Sequence, residues 1–369
     1  MKKLFLLLAM ATTSANAFSQ AIQNSSFENW SPVVYFQDPD LYNTSNLMGY
    51  LSADTSTVLR TTDHIQGSYG CRLQTFTGSN NDTINGIAYT GLPSPGGISG
   101  GIPFTVKADS IYGFFKHNIQ PNDTGMYAVI FKNNGSILGI GSIQFTGVQT
   151  TFVLKKSKVT WLLPFSPDSV VIILASSNIN NHMAVPGSIL IADSLFVKAA
   201  AVTTSLPNGN FETWNTTGFD EPSNWTTSNF AFIGSASPSV SKSTDAQSGT
   251  YACKIESLQS AFGDTLGLLS NGSLGNNGPE GGMPVWLNPD VISGYYKYTP
   301  VGPDSALVLI MTHRYEITLG LQIKIDSVLL KLPAASVYTQ FQIQLPYNNW
   351  PYVDSVSITF ASGNIVDSS

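Results

Sequence analysis

Short runs rich in Val, Ile, Tyr, Phe and Thr recur along the chain, broken by Gly, Asn, Asp and Pro. In the first half they cover residues 69–76, 111–117, 127–132, 170–175 and 189–197. In the second half they cover residues 251–257, 291–298, 306–312, 317–325, 339–345 and 355–360. β-Branched and aromatic residues suit a pleated, half-buried surface, so each run predicts a strand. Gln340-Phe341-Gln342-Ile343-Gln344-Leu345 alternates strictly, as a strand with one wet face must, whereas residues 170–174 are apolar throughout, as in a strand covered on both faces. No amphipathic helix of three turns stands out. Turn residues at short spacing favour antiparallel sandwiches over βαβ units.

The strand pattern is written twice. Asn24-Ser25-Ser26-Phe27-Glu28-Asn29-Trp30 recurs as Asn208-Gly209-Asn210-Phe211-Glu212-Thr213-Trp214. Pro39 to Asn46 recurs as Pro222 to Asn229, and Asp63, Gly67, Tyr69 and Cys71 fall on Asp245, Gly249, Tyr251 and Cys253. Ile111-Tyr112-Gly113-Phe114-Phe115-Lys116 falls on Ile292-Ser293-Gly294-Tyr295-Tyr296-Lys297. The first copy closes with Gly187-Ser188-Ile189-Leu190-Ile191-Ala192-Asp193-Ser194-Leu195-Phe196-Val197, and the second stops before that element. The predicted fold is therefore all-β: two tandem antiparallel β-sandwich (jelly-roll) domains, the second truncated before its last strand. The expected boundaries are residues 18–200 and 208–369, joined by a linker at 201–207.

Met1-Lys2-Lys3, the apolar stretch Leu4 to Met10 and the small-x-small Ala15-Asn16-Ala17 read as a secretory signal peptide over residues 1–17. No later run is long and apolar enough to span a bilayer. The expected location is secreted or on an outer cell surface, with a bacterial style of signal. Only 11 % of residues are charged and the net charge is −6, which leaves no electrostatic footprint for nucleic acid. The two cysteines, Cys71 and Cys253, sit at equivalent positions inside strands and read as small buried hydrophobes.

The opening Asn-x-x-Phe-Glu-x-Trp, the Gly-x-Tyr-x-Cys strand and the closing Gly-Ser-x-Leu-x-x-Asp-x-Leu strand together resemble the jelly-roll carbohydrate-binding modules and carbohydrate-metabolism domains of exported bacterial proteins, many of them type IX-secreted. The resemblance implies a glycan or polysaccharide as partner. It also implies structural calcium, held by Glu28 and Asp193 in the first copy and by Glu212 in the second, whose Asp partner is missing. The alternative is that the glutamates satisfy nearby backbone donors.

Sugar binding needs exposed aromatic faces beside hydrogen-bonding side chains. Candidates are Trp286 and Trp350, which have no equivalents between copies; Tyr296 and Tyr298 on one strand face, with Tyr295 opposite; and Trp225 with its equivalent Tyr42, whose repetition favours a framework role. No catalytic residue is predicted. Gly97-Ile98-Ser99-Gly100-Gly101 matches a nucleophile elbow in letters only, because it lies in a Pro/Gly loop. The four histidines lack metal-ligand spacing. Asp followed by Ser or Thr and an apolar residue, as at Asp109, Asp168, Asp193 and Asp354, reads as a turn-to-strand junction or, more sharply, as an O-glycosylation acceptor. Three readings follow: an exported non-catalytic glycan binder, a structural or adhesive surface protein, and an accessory region of a glycan-degrading enzyme.

Overall fold

The computed structural model describes residues 21–364 except 80, 95–96, 180–183, 236, 261–262, 264–265, 276–277, 287–288 and 346–352. The predicted signal peptide and Trp350 lie outside the described residues. The chain is all-β, with multiple antiparallel sheets, and forms two compact units. Pro32–Phe219 is one, and Asp220–Ser369 together with the described residues up to Ser31 is the other.

The strands that matter here are, in the first unit, β1 (Val58–Thr61), β2 (Gly70–Gln74), β3 (Ile87–Tyr89), β4 (Ser110–Asn118), β5 (Gly125–Asn133), β6 (Ser136–Phe145), β7 (Val148–Lys158), β8 (Ser169–Ala175), β9 (Ile189–Ala199) and β10 (Val202–Ser205). The second unit has β11 (Val240–Ser243), β12 (Ala252–Ile255), β13 (Leu268–Ser270), β14 (Val291–Tyr298), β15 (Ala306–Glu316), β16 (Leu321–Leu332), β17 (Ala335–Gln344) and β18 (Ser355–Ala361).

In the first unit one sheet runs β7-β4-β9-β2-β1, with β10 also pairing β9. The facing sheet contains β6-β5-β8-β3. Their inner faces close one core: Phe115 of β4 meets Tyr127 of β5 at 5.3 Å and Phe145 of β6 at 4.7 Å, and all three are buried. Strand β9 occupies the middle of its sheet and contributes Leu190, Ala192, Leu195 and Val197 to that core. Burying each Leu or Val side chain stabilises by about 1.5–3 kcal/mol.

The second unit repeats most of this plan. The sheet β13-β18-β15-β16 matches β3-β8-β5-β6. Opposite it lie two separate two-stranded ladders, β11-β12 and β14-β17. They correspond to β1-β2 and β4-β7. Among the described residues no strand stands between β12 and β14, where β9 stands in the first unit.

Two sequence expectations change. Residues 201–207 are not a free linker, because Val202–Ser205 pairs with β9 from Phe196↔Ser205 to Ala199↔Val202. The opening motifs do not start the domains they precede. Residues 24–30 pack with the second unit and residues 208–214 with the first. A repeat identifies a motif but not the core that it will cover.

Candidate functional site

Each opening motif is a self-closed turn. Asn24 Nδ2 donates to the Asn29 carbonyl at 2.9 Å while the Asn29 N–H donates back to Asn24 Oδ1 at 3.1 Å. Asn208 and Thr213 exchange the same two bonds. Trp30 and Trp214 each donate from the indole to the carbonyl of the motif's Phe, both at 2.6 Å. This turn aims the Phe inward, where Phe27 meets Trp225 at 5.2 Å and Phe211 meets Tyr42 at 5.7 Å. Trp225 and Tyr42 are thereby buried, so neither presents a ring to a ligand.

The carboxylates expected to hold calcium face backbone N–H groups. Glu212 Oε1 accepts from Ser68 and Tyr69 at 2.9 and 3.0 Å, and Asp193 Oδ2 accepts from Ile65 and Gln66 at 2.7 and 3.0 Å. Together they fasten one loop of the first unit. Glu28 Oε1 accepts from Thr250 and Tyr251 at 2.9 and 3.1 Å in the second unit. Asp193 is thus paired with Glu212 rather than with Glu28. Gly67 and Gly249 have φ of +79° and +75°, and a Cβ at either would collide with the glutamate, so glycine is required twice. Backbone donors thus meet Glu28 Oε1, Glu212 Oε1 and Asp193 Oδ2, and among the described residues no group of three or more His, Cys, Asp or Glu is gathered as a metal site.

Strand alternation decides which aromatics reach the surface. On β14, Ile292, Gly294, Tyr296 and Tyr298 face the core and Val291, Ser293, Tyr295 and Lys297 face out. Tyr296 packs against Phe341 at 6.4 Å. The outward ring is therefore Tyr295, 51 % exposed, and not Tyr296 or Tyr298. Trp286 is 87 % exposed and lies apart from this strand in sequence.

Tyr295 stands directly across from Gln340 of β17, Ser293 across from Gln342 and Val291 across from Gln344. The three glutamines are exposed. Beside them, Lys297 Nζ bonds both oxygens of Asp245 at 2.8 Å and lies 4.7 Å from the Tyr338 ring centre. The Tyr338 hydroxyl donates to the Asp245 carbonyl.

The first unit carries the same group on the equivalent face. Lys116 pairs with Asp63 and lies 5.5 Å from the Phe152 ring, with Phe114 in the place of Tyr295. Around it the face is more apolar: Tyr112 stacks on Phe196 at 4.9 Å with planes 3° apart, and Phe114 stands across from Leu154. The roles of Asp63, Asp245, Phe152 and Tyr338 escape the sequence reading. The recurrence of Asp63 as Asp245 was the available signal.

The remaining polar clusters are structural. Asp123 accepts from the Ser177 and Ser188 hydroxyls, both at 2.6 Å, and from the N–H groups of Thr124, Asn178 and Val185. Burial raises its pKa, but bonds from Ser177, Ser188, Val185 and Asn178 outweigh this and hold it below the usual carboxylate value. Ser99 sits in a two-stranded hairpin and donates to the Leu92 carbonyl, so the Gly-x-Ser-x-Gly letters form no nucleophile elbow. Asp168, Asp193 and Asp354 accept from the Ser that follows each, as turn-to-strand junctions do.

No protein-family profile and no curated protein matches the chain. Among solved structures it is similar to a Bacteroides thetaiotaomicron protein described as a glycoside hydrolase, with a TM-score of 0.33 and 13 % identity over 44 % of this chain and 63 % of that one. It is similar to an arabinose-bound MgGH51 α-L-arabinofuranosidase, with a TM-score of 0.27 and 12 % identity over 46 % and 25 %. The tandem CBM22-1–CBM22-2 domain of Paenibacillus barcinonensis Xyn10C aligns over 91 % of both chains, with a TM-score of 0.22 and 10 % identity. The chain spans less than two thirds of the length of the first two of these proteins.

Proposed function

We propose that this chain is an exported, non-catalytic glycan-binding protein, with its sugar surface on the outer face of β14 and β17. The supporting observation is the row in which half-exposed Tyr295 stands across from Gln340, with Lys297 two residues on along β14 and Gln342 and Gln344 following on β17. A pyranose ring stacks on a tyrosine face, and amide side chains both donate to and accept from its hydroxyls. Packing does not demand these residues, because they point away from the core. Phe114 on the equivalent face of the first unit offers a second stacking ring with fewer polar neighbours.

The full chain without residues 1–17 is tested by isothermal titration against plant, algal and host polysaccharides. Binding to at least one is expected. Tyr295→Ala is expected to weaken it about tenfold, the loss of one stacking contact, with the melting temperature unchanged. Silence across the panel would reject glycan binding. Binding that survives Tyr295→Ala intact would move the surface elsewhere.

A further inference from the structure

The outer faces of β4-β7 and β14-β17 share one framework and differ in charge. On the second unit Ser293 stands across from Gln342 and Val291 across from Gln344. The equivalent pairs on the first unit are Tyr112 across from Lys156 and Ser110 across from Lys158. Lysine thus stands at both positions where the second unit has glutamine, and all four side chains are exposed. Beyond the apolar ground around Phe114, the face of the first unit turns basic.

Strand β9 extends this region. Ser110 also lies opposite Lys198, and Tyr112 opposite Phe196. Two rows result, Lys158-Ser110-Lys198 and Lys156-Tyr112-Phe196. Both point outward, because Ile111 and Val197, which alternate with them, lie in the core. With about 4.8 Å between strands and about 3.3 Å per residue, the three lysines have backbones within about 12 Å of one another. Lys198 Nζ lies 5.3 Å from the Tyr112 ring centre, and that ring is stacked on Phe196. The ammonium groups therefore border an aromatic floor.

No carboxylate pairs with them. Among the described residues Lys156, Lys158 and Lys198 take part in no ion pair. The sequence holds no Asp or Glu between Asp123 and Asp168. Carboxylates on neighbouring segments are engaged elsewhere: Asp63 with Lys116, Asp109 with the Ala200 N–H, and Asp193 with the N–H groups of Ile65 and Gln66. The net charge of −6 thus conceals a locally basic face.

We propose that this face of the first unit binds an acidic polysaccharide, one that carries carboxylates on its sugar rings. The carboxylates meet Lys156, Lys158 and Lys198, and the apolar faces of the sugar rings lie on Tyr112, Phe196 and Phe114. An ammonium group brings a charge and donors only, which suits a carboxylate; an amide donates and accepts, which suits hydroxyls. The inference rests on the glycan reading and adds a second site to it, acidic sugar on the first unit and neutral sugar on the second.

The full chain without residues 1–17 is titrated with polygalacturonate, alginate and hyaluronan, and with methyl-esterified polygalacturonate as an uncharged comparator. Binding to at least one acidic chain is expected, about tenfold weaker in about 0.5 M NaCl. Methyl-esterified polygalacturonate is expected not to bind. The double variant Lys156→Gln, Lys158→Gln installs only what the second unit carries at the same positions. It is expected to weaken acidic binding about tenfold and to leave the melting temperature unchanged. Silence of all three acidic chains, or binding indifferent to the double variant, would overturn the proposal. So would duplex DNA bound as tightly as the best acidic polysaccharide at the same salt, because the face would then respond to charge alone. Acidic chains bound while neutral glycans stay silent would uphold this face and reject the Tyr295 surface. Neutral glycans bound while acidic chains stay silent would overturn this face and uphold the other.

Discussion

Strands β4 and β14 carry the same spacing, Ile-x-Gly-x-aromatic, yet they end in different environments. In the first unit Leu195 of β9 lies over Gly113, so closely that a Cβ there would reach its Cδ2, and Phe115 is fully buried. In the second unit the atoms nearest a Cβ on Gly294 belong to Phe341 of its own ladder, and Tyr296 stays half-buried. The difference shows that the burial of a strand is set by its neighbours in the sheet as much as by its own alternation. It also sets the more apolar outer face of the first unit against the polar, tyrosine-bearing face of the second.

The largest test of that comparison is truncation at matched positions. Phe115→Ala should destabilise the first unit by about 3–5 kcal/mol, whereas Tyr296→Ala should cost the second about 1 kcal/mol, each read from denaturant unfolding. Equal costs would break the comparison. Asp123 and its counterpart Asp304 come next. Among the described residues Asp304 Oδ1 accepts from the Ser305 and Asn364 N–H groups, against five donors at Asp123. Asp123→Asn should cost about 2–3 kcal/mol and Asp304→Asn about 1 kcal/mol.

The pH dependence gives a third test. His117 has its pKa lowered by burial, against the raising effect of its bond to the Gly147 carbonyl. His313 is lowered by burial, against the raising effect of Asp354. Below the ordinary histidine value of 6.5 the unfolded chain therefore binds more protons than the folded one. Stability should fall as pH drops from 6.5 toward the lower folded values, in both units, and His117→Gln should flatten only the first unit's share. Opposite signs in the two units would contradict the burial assignment. Asp123 acts lower on the scale. Its folded pKa is depressed, so its contribution is present above the unfolded value and lost as pH falls through the folded one.

The smallest effects concern the opening motifs. Glu212→Gln and Glu28→Gln should each cost about 1 kcal/mol, in the first and second units respectively. Calcium or EDTA should leave both melting transitions in place, and a calcium-dependent shift abolished by either substitution would reverse the reading of these carboxylates.

Much of this was legible in the sequence, for physical reasons. Strand positions follow from alternation and turn residues, and the repeat of Ser45-Asn46 as Ser228-Asn229 marks a real framework device. Asn46 Nδ2 and Oδ1 bridge the Val58 backbone, and Asn229 does the same at Val240. The inward set on β14 was also within reach, since Ile292 and Gly294 share parity with Tyr296. The partners of the opening motifs were not legible. Glu28 bonds residues more than two hundred positions away, and no local period encodes such a contact. The surface group of Lys297, Asp245 and Tyr338 was hidden for a similar reason, because it joins three separated segments.

Native-state amide exchange on the full chain compares the two units most directly. The account predicts that amides of β12 and β14 exchange markedly faster than those of β2 and β4, while β15 and β18 are protected like β5 and β8. Equal protection of β12 and β2, and of β14 and β4, would show that the second sheet is closed and would contradict it.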